Sequence, residues 1–176
     1  MVYWKTPSRG YKCNTDGAAK GNPDPSSGAF CVRNEAGNLM YTEGRGFGVN
    51  SNLVVEVLAF KMGLEYCINH HYLPLTMETD SLAIKNILDG GWETPWCIIV
   101  DITKIKSLLV ESNTTVEHTY MEGNKLADFF AKRVYFAGTD LLTYSSIQEI
   151  SREARSILQL DKNQTPNLRI KKIPGW

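Results

Sequence analysis

Apolar and polar positions change period several times along the chain, and each change predicts an element. Tyr11 to Ala18, Gly28 to Arg33 and Leu39 to Phe47 are short runs of strand character, the last preceded by the turn signal Asn34-Glu35-Ala36-Gly37-Asn38. Three strands separated this way predict an antiparallel meander. Beyond them the period becomes helical: Asn52 reads as an N-cap, and Leu53, Glu56, Ala59, Phe60, Gly63, Leu64 and Cys67 recur at helical spacing to about His70. Glu56, Ala59 and Gly63 share one face. Gly63 allows that face to approach a sheet closely, so Glu56 is expected to point inward.

After His71-Tyr72-Leu73-Pro74, Leu75 to Thr79 reads as a strand ending at Asp80, with Ser81 placed to cap a helix through about Leu88. A strand, a crossover helix and a strand imply parallel pairing with a right-handed connection. Asp80 then falls beside Asp16. Gly90 to Pro95 is a loop, Trp96 to Glu111 a helix, Thr114 to Tyr120 a strand rich in β-branched residues, and Asn124 to Phe136 a helix. The expected fold is α/β, a five-stranded mixed sheet (antiparallel meander, then parallel strands) with helices on both faces. Residues 1–138 form this domain and 139–176 a C-terminal extension. In the extension Ser146-Ile147-Gln148-Glu149 resembles a capping box, and Ile147, Ile150, Ala154, Ile157 and Leu158 form an apolar stripe, predicting one amphipathic helix. Lys162 to Trp176, with Lys162, Arg169, Lys171 and Lys172, reads as a loosely ordered basic tail.

Composition narrows the function classes. With 176 residues, 43% of them hydrophobic, the chain suffices for one core and an appendage. The 19 basic and 19 acidic side chains cancel, which argues against the long-range positive field of a free-standing nucleic-acid binder. Any grip on nucleic acid is expected to be local and only modestly salt-dependent. Cys13, Cys31, Cys67 and Cys97 form no C-x-x-C pair and read as small core residues in a reducing compartment. No apolar run approaches the roughly 18 residues of a membrane span, and no secretory leader is read at the N-terminus.

Four acids carry the candidate chemistry: Asp16, Glu56, Asp80 and Asp128, in the order D…E…D…D. An Asp before a helix is ordinarily a cap and a helical Glu ordinarily solvated. Asp16 in a strand and Glu56 on an apolar helix face are harder to explain that way. Hydrolysis of a phosphodiester needs an activated water and a stabilised pentacovalent phosphorus, which two Mg²⁺ ions held by hard oxygen ligands supply. Other polar and aromatic residues read more plainly. His70 and His71 suit the C-terminal end of their helix. His118 suits packing over proton transfer, and Trp92 and Trp96 suit a hydrophobic lid over base stacking.

The runs Lys12-Cys13-Asn14-Thr15-Asp16-Gly17-Ala18, Asn52-Leu53-Val54-Val55-Glu56, Glu78-Thr79-Asp80-Ser81 and Glu122-Gly123-Asn124-Lys125-Leu126-Ala127-Asp128, with the lead-in Trp4-Lys5-Thr6-Pro7, resemble the ribonuclease H family. More narrowly they are similar to the reverse-transcriptase-associated, retrotransposon-type domains abundant in plant genomes, over roughly residues 4 to 138. The resemblance implies an endonuclease that cuts the RNA strand of RNA–DNA hybrids, leaving a 3′-hydroxyl and a 5′-phosphate. It implies Asp16, Glu56, Asp80 and Asp128 as catalytic metal ligands for two Mg²⁺ ions, with Mn²⁺ as substitute. Gly17, Lys20, Gly21, Asn22, Asn52, Ser81 and Asn124 are the implied substrate contacts, some of them at the 2′-hydroxyls that distinguish RNA. The family's loop histidine and basic handle have no counterpart; Met121 stands where Arg is frequent and Leu82 where a Gln contacts the hybrid. The implied partners are the hybrid and, through the C-terminal extension, a polymerase domain or another protein, with the chain itself a monomer. The rival reading is a catalytically weak hybrid-binding or protein-interaction module on the same fold.

Overall fold

The computed structural model describes residues 1–21 and 23–169, so the expected contact Asn22 and the tail residues Lys171 and Lys172 lie outside the described residues. Strands β1 (Tyr11–Ala19), β2 (Asp24–Asn34) and β3 (Leu39–Asn50) form the antiparallel meander. Helix α1 (Asn52–Asn69) follows, one position out of the expected register: its cap is Ser51, whose hydroxyl accepts the Val54 N–H at 3.4 Å. Strand β4 (Leu75–Thr79) and helix α2 (Leu82–Leu88) come next, α2 capped by the Ser81 hydroxyl at 3.3 Å from the Ile84 nitrogen. A 3₁₀ turn at Trp96–Ile98 then leads into α3 (Ile99–Ser112), β5 (Thr115–His118) and α4 (Lys125–Ala137).

Five strands were expected and six are present, in the order β5-β4-β1-β2-β3-β6. The sixth, β6 (Leu141–Tyr144), pairs antiparallel with the edge of β3, Thr42 opposite Tyr144 and Arg45 opposite Leu141. Four residues give too short an alternation to read as a strand from sequence. The expected capping box at Ser146 is also corrected. There the Glu149 carboxylate accepts the Ser145 N–H at 2.8 Å in a turn, and α5 (Arg152–Lys162) begins only after Ser151, which caps the Ala154 N–H.

The pleat of the sheet sorts the core into two layers. Cys13, Phe30, Val32, Leu75 and Met77 face α1, α2 and α3, while Ala29, Cys31 and Leu39 face α4 and α5. Ile150, Ala154 and Leu158 of the C-terminal segment are buried in the second layer. All four cysteines are unpaired; Cys97, exposed, departs from the expected core placement. Trp92 and Trp96 depart too, for Trp96 is 87% exposed and covers nothing. No helix among the described residues is long and apolar enough to cross a membrane.

Helix α1 lies close on the sheet because Gly63 lacks a side chain. A Cβ there would stand 2.9 Å from Cys13 Sγ and 3.0 Å from Phe30 Cβ. Gly63→Ala gains about 1 kcal/mol of helix propensity and incurs overpacking of about 1–3 kcal/mol. The urea midpoint is expected to fall; a midpoint at or above wild type would contradict this packing.

Candidate active site

Parallel pairing of β1 and β4 places Thr15 opposite Thr79, so the residues that follow, Asp16 within β1 and Asp80 just past the end of β4, come side by side. Helix α1 brings Glu56 to the same point. Gly17 permits this, since a Cβ on it would meet the Glu56 nitrogen at 2.8 Å. One carboxylate oxygen from each of Asp16, Glu56 and Asp80 lies within 4.8 Å of the others. Asp128, in the first turn of α4, stands on the facing wall, close enough for Asp16 to share a hydrogen bond with it. A cleft of about 470 Å³ opens over the four, walled also by Lys20, Asn52, Met121, Lys132, Tyr135 and Phe136.

Acids gathered in a partly dry cleft repel one another, and Asp16, Glu56 and Asp80 hold their protons more tightly for it. Burial chiefly, then the charges of Glu56, Asp80 and Asp128, hold the Asp16 carboxyl well above the usual carboxylate range. Burial, then Asp80, pushes Glu56 up to about 8, against the opposing hydrogen bond from the Gly17 backbone N–H. Asp80 is raised by burial as well, and the Asn124 side chain pulls it back by favouring the carboxylate. Glu56 Oε2 is buried and has no hydrogen-bond partner among the described residues. An unpaired buried carboxylate oxygen facing two more carboxylates suits a hard divalent cation, which would supply the missing positive charge.

The expected substrate contacts divide. Lys20 is exposed, its ammonium 5.1 Å from the Tyr135 ring centroid and 5.7 Å from that of Phe136, and Asn52 is exposed at the rim of the cleft. Gly17 lines the cleft; Gly21 sits at the β1–β2 bend against Asp24. The Ser81 hydroxyl is engaged as the α2 cap. Asn124 is corrected: with no exposed surface it has no access to a substrate, and its amide nitrogen donates to the Thr15 carbonyl at 2.9 Å. Its site is the underside of the carboxylate cluster.

His70 caps its helix as expected, Nδ1 lying 2.9 Å from the Tyr66 carbonyl. His118 lies outside the cleft, its ring edge against Tyr120, although its charge lowers the proton affinity of Asp80. Sequence reasoning missed Lys132, which pairs with Asp128 at 2.9 Å, and the aromatic wall of Tyr135 and Phe136. The i,i+4 spacing of Asp128 and Lys132 was the available signal for the first.

A carboxyl whose proton affinity is raised by folding stabilises the fold while protonated and loses that contribution as pH rises through its folded value. For Glu56 the window runs from 4.5 to about 8. The metal-free protein is expected to lose thermal stability from pH 5 to pH 9, with Glu56→Gln flattening the decline and millimolar Mg²⁺ opposing it at the alkaline end. Differential scanning fluorimetry checks this. A melting temperature that rises through the window would contradict it.

A family model described as reverse transcriptase-like matches residues 14–134. No curated protein matches the chain significantly. Among solved structures, ribonuclease H1 from the halophilic archaeon Halobacterium salinarum NRC-1 superposes with a TM-score of 0.68 at 22% identity, over 72% of this chain and 98% of that one. LC11-RNase H1 in complex with an RNA/DNA hybrid gives 0.66 at 23% identity, over 73% and 99%. The foamy viral protease-reverse transcriptase, also in complex with an RNA/DNA hybrid, gives 0.62 at 17% identity, over 78% of this chain and 22% of that one. At these identities the structures speak for the shared fold, and the family match covers most of the chain. The chain belongs to the reverse transcriptase-like family and shares the fold of these ribonuclease H structures.

Proposed function

We propose that this protein is a divalent-metal-dependent endonuclease that hydrolyses the RNA strand of RNA–DNA hybrids. The observation that carries the reading is the convergence of Asp16, Glu56 and Asp80, oxygens within 4.8 Å of one another, at the floor of an open cleft. These three residues, with Asp128 opposite, are the groups that would hold two Mg²⁺ or Mn²⁺ ions. Such ions, when bound, supply charge stabilisation for the phosphorane and a water of lowered pKa. Asp16 and Asp80 would serve both ions, Glu56 would anchor one of them from α1, and the Gly17 N–H favours the charged form of Glu56. Asn52 and Lys20 at the rim, with the backbone of Gly21 at the adjoining β1–β2 bend, would meet the groove of a hybrid, where the 2′-hydroxyl identifies the RNA strand. Lys20 and Lys132 supply local positive charge on a chain whose net charge is zero.

The setting belongs to the same proposal: a module of a retroelement polymerase, or a free descendant of one, in the manner of the fused viral enzyme that contains this fold. A second reading, a hybrid-binding module with little turnover, is favoured by one observation. Asp128 is paired with Lys132 at 2.9 Å and is not one of the three acids whose oxygens all lie within 4.8 Å of one another.

Cleavage of a strand-labelled hybrid in Mg²⁺ and in Mn²⁺, beside single-stranded RNA and duplex RNA, separates the two. Internal cuts in the hybrid's RNA strand are expected, and Asp16→Asn or Asp80→Asn is expected to reduce the rate by about 100-fold or more, exceeding the usual loss for an outer partner of a metal ligand. A hybrid bound but left whole with either metal would establish the binding module instead. Full activity in either variant would remove that residue from the site.

A further inference from the structure

Beneath the carboxylate cluster lies a buried polar network that the chemistry above does not use. At its centre is Asn14, on the same face of β1 as Asp16 two residues later. Its amide oxygen accepts from Trp4 Nε1 at 2.9 Å and from Arg33 Nη2 at 3.1 Å; its amide nitrogen donates to Glu78 Oε1 at 2.7 Å and to Asn124 Oδ1 at 3.2 Å. All four hydrogen-bonding positions of the amide are filled, which fixes its orientation. Outward from Asn14, Arg33 stacks 3.7 Å from the Trp4 ring centroid and donates to Asp161 Oδ2 at 2.6 Å. Inward, Asn124 gives an amide hydrogen to the Thr15 carbonyl, adjacent to Asp16, and its side chain favours the charged form of Asp80.

The chain of hydrogen bonds therefore runs from the last turn of α5, through Arg33, Asn14 and Asn124, to the β1 backbone beside Asp16, with Asp80 close to the Asn124 side chain. None of its members is more than 5% exposed up to Asn124. A buried ion pair such as Arg33–Asp161 is commonly no more stabilising than apolar residues of equal volume, so stability alone does not account for this one. The four filled positions of the Asn14 amide fix one arrangement of its partners, although Arg33 Nε has no hydrogen-bond partner among the described residues, and metal ligands need to be held to within about 0.5 Å. Neither Asn14 nor Arg33 reaches the cleft.

We propose that Asn14 is a positioning residue for the carboxylate cluster, held by Asp161 through Arg33, so that the C-terminal helix is part of the apparatus that aligns Asp16 and Asp80. The inference rests on the proposed metal-dependent reading of that cluster and extends it to residues beyond the family match, which ends at residue 134.

The test compares full-length wild type, Asp161→Ala, Asp161→Asn and Asn14→Ser, each verified as folded by circular dichroism. Mn²⁺ affinity is measured by isothermal titration calorimetry, and kcat and KM are measured on a hybrid in Mg²⁺. Asp161→Ala and Asn14→Ser are expected to bind Mn²⁺ about 10-fold more weakly, at the low end of the effect of outer partners. Their kcat falls while KM for the hybrid is unchanged, and Asp161→Asn, which keeps an acceptor for Arg33, recovers part of the loss. If Asp161→Ala fails to fold, Asn14→Ser decides. Folded variants with wild-type Mn²⁺ affinity would overturn the inference. Wild type that binds no Mn²⁺ would overturn it together with the metal reading, whereas wild type that binds Mn²⁺ and leaves the hybrid whole would overturn the nuclease reading alone.

Discussion

Like charges gathered on two adjacent parallel strands set the constraint around which the rest of the molecule is arranged. The register of β1 against β4, Thr15 opposite Thr79, brings Asp16 and Asp80 together. Glu56 worsens the repulsion, being delivered by a helix that lies close because Gly17 and Gly63 leave room for it. The cluster survives in the metal-free fold by holding protons above their usual range, while the nearby Gly17 N–H and Asn124 side chain favour the charged forms of Glu56 and Asp80. These devices are partial, as the unpaired Glu56 oxygen shows. A site so built is poised for a cation, because a bound divalent ion removes the repulsion and the desolvation cost together.

The positive charge available for a long polyanion is local. The chain is neutral overall, and Lys20 and Lys132 sit at the cleft among Tyr135 and Phe136 rather than on a separate basic projection. That combination of cation and ring faces favours contact with a strand close to the cut, where sugar, phosphate and base are all within reach. Trp92 and Trp96, exposed between α2 and α3, stand where no cationic handle is present. Hybrid affinity on this scaffold would then depend on the cleft itself more than on remote anchoring.

Much of this was legible in the sequence, and for specific reasons. The meander, α1 and β4 carry strong periodicity, so Asp16, Glu56 and Asp80 could be placed on converging elements before any coordinates; the anomaly of an acid in a strand and another on an apolar helix face was the main signal. The sixth strand was not legible, because Leu141–Tyr144 is too short for its alternation to stand out and gains its partners only from the β3 edge. The start of α5 was misplaced because Ser146 and Ser151 both head acceptable capping sequences, and the turn closed by Glu149 selects the later one. Asn124 was misassigned to the substrate because motif position says nothing of burial. The network around Asn14 was invisible for the same reason: its members come from the N-terminal lead-in, three strands, the start of α4 and the end of α5.

The most direct test of the central claim is anomalous diffraction from crystals of the protein soaked in Mn²⁺. The account predicts anomalous density between the carboxylates of Asp16, Glu56 and Asp80, with Asp128 turned toward it. Crystals showing no such density at millimolar Mn²⁺ and neutral pH, with the four side chains unmoved, would contradict it.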